Sequence, residues 1–479
     1  MKVALINSPS IHGKGFTREG RCTQEASLWG TLWPPVSLAY LAAVVARGGD
    51  QPLVYDCAAA QMSLARLLGT LEKEQPAALL LPTSTPSFFN DMSVIDSIKK
   101  RLPPLKTAVF GVHATAADTD LLRQYPAVDF VIRNEPEQTA AALIYALKQD
   151  RSLAEVTGLT FRGPENVMRN PDRPFIADLD ALPFPAWEYL DLDDYRLPFR
   201  GRRFLCLAPS RGCPSRCSFC TAGVYYGRRL RLRGVNSVIG EIKHDQQKFG
   251  VGDFFMWAET FTRQRDFVLE LTAAMKTETP GIRWTCNSRL DTVDAELLVA
   301  MAAAGCWMMS FGIESTDATV QKKSNKNLQS PEMFEPLRLA RKAGIRTVGH
   351  FIFGLPGETP ASMRQTIHDA LKMDLDFVQF YTAAPFIGSD LYEEARQKGW
   401  LDHSTFDRMN QAQASLQISD LPPGTVNQAV RQALWSFYMR PRQILRLLRF
   451  AGAGIFYQAL KSISVLIKSY KVRLEASIG

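Results

Sequence analysis

The sequence predicts an α/β protein: an N-terminal doubly wound parallel sheet, a partial (β/α)6 barrel, and a helical C-terminal tail. Three observations carry this. Short apolar strands alternate with amphipathic stretches over residues 1–150. The alternation stops across 151–200, where proline and acidic residues crowd together. It then resumes over 201–400 with six strand–helix units.

In the first segment the strands fall at 2–8 (KVALINS), 52–57, 77–84, 106–112 and 129–134. Between the first two lies PPVSLAYLAAVVARGG, with proline where a helix can start and glycine where it can end. Residues 1–150 therefore read as a Rossmann-like domain, with ligands expected at the carboxyl ends of its strands. The loops there are NSPSIHGKG, TSTPS, GVHAT and NEPEQT, rich in small and turn-forming residues. Residues 151–200 read as a linker wrapping between domains.

In residues 201–400 strands are expected at 204–209, 253–258, 282–287, 306–313, 346–353 and 376–382. Helices fit between them at 263–277, 294–304, 331–343 and 361–373. Strand–helix repetition on this scale suggests a TIM-like partial barrel. Its polar and glycine-rich segments, SRGCPSRCSFC, WAET, NSRLD, FGIES, GLPGET and PFIGS, all follow strands and so share the catalytic face. Residues 401–479 read as a helical region.

Composition excludes several classes. The chain is 46% hydrophobic over 479 residues, enough for large buried cores and for about three domains. No signal peptide and no run long enough to span a membrane is read, so a cytoplasmic location is expected. Net charge is +8, yet the segment from Gly424 onward holds nine basic residues and one acid. The basicity belongs to the tail, and nucleic-acid binding is not expected. Two readings of the tail stay open: a surface that lies on a membrane or near a lipid-like substrate, and a helical cap with solvated cations.

Of eight cysteines, Cys22, Cys57, Cys206, Cys286 and Cys306 are scattered. The other three, Cys213, Cys217 and Cys220, stand in a Cys-x3-Cys-x2-Cys loop after the first barrel strand. Three close thiols in a reducing compartment indicate a metal or catalytic site. Structural zinc wants a closed set of four ligands, and the next histidine, His244, lies on a predicted helix. Zinc stays open as the lesser reading. Three thiolates on one loop suit a 4Fe–4S cluster with one iron open to an outside ligand.

This loop, with aromatic Phe219 inside its last Cys-x2-Cys, resembles the signature of the radical S-adenosylmethionine (SAM) superfamily. AGCWMMSFGIES and GHFIFGLPGET are similar to later segments of the same family. The pattern WPPVSLAYLAAVVARGG…VYDC…GVH…VDFVIRNEPE resembles the cobalamin-binding domain fused to one large subgroup, which includes methyltransferases and the anaerobic protoporphyrin-ester ring cyclase. The resemblance covers about residues 1–400. It implies a cluster on Cys213, Cys217 and Cys220, whose open iron chelates SAM. One electron then cleaves SAM to methionine and a 5′-deoxyadenosyl radical.

For SAM the resemblance implicates Phe219, Glu259, Ser288, Arg289, Glu314 and Gly354. An Arg289–Glu314 buried ion pair is the bland alternative for those two. For cobalamin it implicates Ser84, Thr85, Gly111, His113, Glu135 and Glu137, with His113 as a plain loop residue the competing reading. The chain departs from the family where the Asp-x-His-x-x-Gly motif is missing, although His12 occupies a comparable loop. Val112 and Asn134 stand where glycines are usual. No catalytic side chain is nominated.

Absences narrow the reaction. The N-terminal domain has only Cys22 and Cys57, too few for a second cluster of the methylthiotransferase kind. No cysteine follows Cys306, so auxiliary clusters after the barrel are not expected. The resemblance then implies methyl transfer from methylcobalamin to an unactivated carbon of a small-molecule or lipid-like substrate. An electron donor such as flavodoxin or ferredoxin is expected. The runner-up is a cobalamin-assisted ring closure or rearrangement, and a non-catalytic binding module is a third reading.

Overall fold

A computed structural model describes residues 1–11, 16–17, 24–25, 32–197, 200–401 and 409–447. His12, the linker positions 198–199 and the tail beyond 447 lie outside the described residues.

The N-terminal sheet has seven strands. In spatial order they are Gln51–Asp56, Lys2–Asn7, Ala78–Pro82, Lys106–Phe110, Phe130–Ile132, Leu159–Arg162 and Val167–Arg169. The first five run parallel and the last two antiparallel. The 2-1-3-4-5 order of the parallel strands puts the topological switch point between Lys2–Asn7 and Ala78–Pro82. The interior strands are continuous apolar runs because helices cover both faces. The proline-rich 151–200 stretch thus begins with a hairpin that extends this sheet, before turning to short 3-10 segments. Val167–Arg169 is largely exposed, as an edge strand can be, so it lacks the apolar signature of its neighbours.

The barrel strands are Phe204–Leu207, Asp253–Met256, Arg283–Ser288, Cys306–Glu314, Arg346–Phe353 and Phe377–Thr382. They lie side by side in chain order, all parallel. Among the described residues the first and sixth strands do not pair, so this is an open (β/α)6 barrel. Helices Arg265–Glu278, Ala295–Ala303, Phe334–Lys342 and Pro360–Lys372 cover its outside.

Helix Val36–Arg47 joins the two domains. Its first ten residues are all buried. Val36, Ala39 and Tyr40, spaced i, i+3, i+4, enter the barrel core. Leu38, Leu41, Ala42 and Val45 enter the core of the N-terminal sheet. A helix that is apolar all round needs such two-sided burial.

Helix Pro423–Tyr438 belongs to the barrel. Val426, Ala429, Ala433 and Phe437 pack into its core, and the Tyr438 hydroxyl bonds the backbone of Val378. Beyond it, Arg440 donates to the Leu371 carbonyl at 2.7 Å, and Arg446 to the Leu375 carbonyl and to Asp374. These cations cap the barrel's base. No helix among the described residues is long and apolar enough to cross a membrane.

Candidate active site

Ser210–Arg211 pairs antiparallel with Arg231–Leu232, and the excursion between them carries the three cysteines. Gly212 starts it with φ +90°, and a Cβ there would sit 2.1 Å from the Arg229 carbonyl oxygen. Only glycine meets both demands. The loop is tied down by backbone bonds: Cys213 to Gly227, Cys220 to Cys217, Ser218 to Ser324, and Leu391 to Ser218. The last two reach it from segments that follow the fourth and sixth barrel strands. Phe219 packs against the apolar cluster that includes Tyr381 and Leu391.

Cys213 is buried, and Cys217 and Cys220 are half-buried. Burial pushes the Cys217 thiol up, while the nearby cations of Lys326 and Arg289 oppose that shift. Among the described residues no three His, Cys, Asp or Glu side chains converge as a single metal ion would need. A cubane spreads its thiolates over separate irons, and three on one loop leave one iron open.

Two of the residues expected at SAM, Arg289 and Glu314, have charges that act on the Cys217 thiol. Arg289 places Nη1 3.9 Å from Cys217 Sγ. It holds Asp291 bidentately at 2.8 Å and donates to the Lys326 carbonyl at 2.9 Å. Glu314 ends the fourth barrel strand at a register shift, with φ +67°, and pairs with buried Lys326 at 3.0 Å. Arg289 and Glu314 are each ion-paired, then, but to Asp291 and Lys326 rather than to one another. Ser288 shares hydroxyl contacts with Thr262 and Thr292. Glu259 is half-buried after the second strand. Gly354 has φ +88°, with Val426 against the space a side chain would take.

Two further residues here are Lys326, which stands in no motif of the sequence, and Glu358, which lies within GLPGET. Lys326 lies between Asn325 and Asn327, both left-handed at φ +53° and +58°. The asparagines were the available signal, since they tolerate that backbone. Glu358 accepts the Gly354 N–H at 2.6 Å, and its other oxygen is buried without a partner. Burial pushes this carboxyl up to about 8.

At the switch point of the N-terminal sheet, Thr85 Oγ1 lies 3.3 Å from His113 Nδ1, and Ser84 contacts Ser87. Gly111 has φ +110°, and a Cβ would meet the Thr83 carbonyl oxygen at 2.4 Å. His113 stacks on Phe88 with ring centroids 4.0 Å apart, and burial pulls it down to about 3, so its ring is neutral. Asn7 Oδ1 and Thr83 Oγ1, at the ends of the two switch-point strands, are buried without partners. Orphaned polar atoms here fit a cofactor that brings its own hydrogen-bonding groups.

Glu135 and Glu137 belong to a separate network at the domain junction. Glu135 accepts from Arg211 at 3.0 Å, Arg231 at 2.8 Å and the Ile176 N–H at 2.8 Å. Glu137 takes the other arm of Arg211 at 2.6 Å.

The two carboxyl-end faces meet. Ile387, after the last barrel strand, donates its N–H to Thr85 Oγ1 at 3.2 Å. Gly388 has Ala116 of the N-terminal domain and Val224 of the cysteine excursion each 3.0 Å from where its Cβ would stand. Val112 packs on Tyr225 and Tyr226.

An open parallel barrel with a three-thiolate loop on its catalytic face, closed over by a doubly wound domain, defines a metalloenzyme with a second cofactor domain. Comparison with known proteins agrees. The Radical SAM superfamily model matches residues 207–370, and the B12 binding domain model matches residues 29–144. An uncharacterised methyltransferase of Pyrococcus horikoshii is 28% identical over 417 residues, covering 87% of this chain and 90% of the relative. The anaerobic magnesium-protoporphyrin IX monomethyl ester cyclase of Rubrivivax gelatinosus is 27% identical over 405 residues, covering 83% and 70%. The fold resembles that of TsrM, a radical SAM methyltransferase from Kitasatospora setae solved with cobalamin and a 4Fe–4S cluster. The TM-score is 0.67 at 18% identity, covering 83% of this chain and 75% of that one. The two domains, with these relatives, support a cobalamin-dependent radical SAM family, with a 4Fe–4S cluster, SAM and cobalamin as cofactors.

Proposed function

We propose that the protein transfers a methyl group to an unactivated carbon of a small-molecule substrate. The observation that supports this is the contact between the two carboxyl-end faces, Thr85 to Ile387 and Gly388 between Ala116 and Val224, which sets the two domains' ligand-binding ends against each other. When bound, SAM on the cluster supplies a 5′-deoxyadenosyl radical and cobalamin supplies a methyl group.

In this reading Cys213, Cys217 and Cys220 hold the cluster. Arg289 and Lys326 set positive charge beside it. Ser288, Glu259, Glu314, Phe219 and Gly354 line SAM. Ser84, Thr85, Gly111 and His113 line the cobalamin, and the carboxylates of Glu135 and Glu137 hold the junction that keeps water out. A flavodoxin- or ferredoxin-type protein delivers the electron, in the cytoplasm.

The test is reconstituted protein with SAM labelled in its methyl group, assayed by mass spectrometry. Label in cobalamin and then in product, together with 5′-deoxyadenosine, is the expected result. The cyclase relative supports the alternative, radical ring closure without methyl transfer, which predicts 5′-deoxyadenosine and no label in product. Absence of 5′-deoxyadenosine with reductant and substrate would sink both.

Peripheral lipid contact through the tail completes the proposal. Its support is the exposed Trp435, Met439, Ile444 and Leu445. Flotation with anionic liposomes tests it, comparing the intact chain with one in which exposed Trp435, Met439, Ile444 and Leu445 are changed to serine, and equal behaviour sinks the lipid contact.

A further inference from the structure

The base of the barrel holds more positive charge than its carboxylates neutralise. Helix Pro360–Lys372 ends there, and the turn after it leads into the sixth strand, Phe377–Thr382. This is the end of the strands opposite the cysteine loop. Six cations meet around that turn: Arg341, Arg346, Lys372, Arg440, Arg442 and Arg446. Two carboxylates answer them. Asp374 pairs with Arg341 and Arg446 at 2.6 Å and with Arg442 at 3.4 Å. Asp376 pairs with Arg341 at 3.1 Å and with Arg346 at 3.8 Å. Lys372 and Arg440 have no carboxylate partner among the described residues. Burial and the cations of Arg446 and Arg442 pull the Arg440 guanidinium down. The sequence beyond residue 447 does not restore the balance, since it carries five basic side chains and one acidic.

These cations are anchored. Arg440 donates from Nε to the Phe437 carbonyl at 3.1 Å and from Nη1 to the Leu371 carbonyl at 2.7 Å. Its guanidinium lies 4.4 Å from the centroid of the Phe437 ring. Its Nη2 makes no hydrogen bond to a described residue. Arg446 donates to the Leu375 carbonyl at 3.0 Å, and buried Gln443 is fastened to the Asp376 carbonyl. Between Lys372, Arg440, Arg442 and Arg446 opens a cavity of about 120 Å³. That is several times the roughly 30 Å³ that one water occupies in the liquid. Anchored guanidiniums with donors to spare suit a phosphate group. Exposed Trp435, Met439, Ile444 and Leu445 flank them along the chain. Tryptophan and aliphatic side chains beside basic ones suit the headgroup layer of a bilayer.

We propose that this cavity takes the phosphate of an anionic phospholipid, so that the chain docks on a membrane by the barrel's base with its catalytic face turned away. The inference rests on the lipid contact proposed above and adds to it the headgroup and the orientation. Substrate then enters from the water side.

Binding is read by flotation of the holoenzyme with vesicles of phosphatidylcholine alone and of phosphatidylcholine mixed with phosphatidylglycerol. The parent is expected on the mixed vesicles only. Each cation at an anionic surface contributes about fivefold, so Lys372→Gln combined with Arg442→Gln should weaken that binding about twentyfold. Both side chains are exposed, so the fold is kept. Lys100→Gln combined with Arg123→Gln removes the same charge from exposed positions on the N-terminal domain and should bind as the parent does. An equal loss in that control, no loss in the first variant, or equal binding to phosphatidylcholine alone would overturn the inference. Inorganic phosphate that binds in calorimetry while the vesicles do not would make a free anion the ligand and overturn the lipid assignment. Brominated phosphatidylglycerol should quench the parent's tryptophan fluorescence and not that of Trp435→Phe. Quenching kept in that variant would put another face on the bilayer and overturn the orientation. If the serine variant described above loses flotation while Lys372→Gln with Arg442→Gln binds like the parent, the lipid contact stands and only the headgroup site falls.

Discussion

Glu135→Ala removes the centre of the buried charge network between the two domains. One carboxylate there receives Arg211, Arg231 and the Ile176 N–H, and the side chains of the three ions are between 3% and 7% exposed. Without it Arg231 loses its anion and keeps the carbonyls of Ile176 and Tyr226, each at 2.6 Å, and its place over the Phe175 ring. Arg211 retains Glu137. Removing one partner of a buried pair costs about 3–5 kcal/mol. The retained partners set the expected loss near the bottom of that range, about 3 kcal/mol, or roughly a hundredfold in the folding equilibrium. Urea unfolding of the anaerobically purified protein measures it. Glu188→Ala is the control, because its pair with Lys248 is 41% exposed on each side and is worth less than about 1 kcal/mol. A loss in Glu135→Ala no greater than in the control would refute the view that this network carries buried charge.

Three further outcomes are expected. Gly212→Ala combines a left-handed backbone with a collision against the Arg229 carbonyl, so it should purify with little iron and sulfide while its far-UV circular dichroism stays close to the parent's. Lys326→Met leaves Glu314 buried without its cation, which should cost about 3–5 kcal/mol in urea and weaken SAM binding in calorimetry, with Lys326→Arg restoring most of both. Glu358 has a folded-state pKa of about 8 against an ordinary 4.5. Its favourable contribution is therefore complete below about pH 4.5 and is lost as pH rises toward 8. Between those values the parent should lose stability relative to Glu358→Gln, and parallel urea midpoints for the two proteins would contradict the assignment.

Much of the fold was legible because parallel strands buried on both faces are continuous apolar runs. Every predicted strand has its counterpart within a few residues, as with 346–353 against Arg346–Phe353. The Leu159–Arg162 and Val167–Arg169 hairpin was not legible, since its second strand is exposed and sits in a proline-rich stretch. The cysteine loop could be read because its ligands are local in sequence. Its surroundings could not. Lys326 meets Glu314, and Arg211 meets Glu135 across 76 residues, only through register and domain docking. The left-handed Glu314 was equally hidden, since glutamate gives no hint of that backbone, whereas Asn325 and Asn327 do.

Helix Val36–Arg47 also constrains how this chain can change. Because its residues serve two cores at once, neither domain has a private boundary at which it could be cut out or exchanged. A domain ending near residue 150 would leave Val36, Ala39 and Tyr40 in water, and a barrel beginning near 201 would lack them. Enlarging any of these side chains to suit one core displaces the other. The relative position of the two cofactor sites is thereby fixed by side-chain volume within a single helix, and a change of reach between them calls for paired substitutions on its opposite faces.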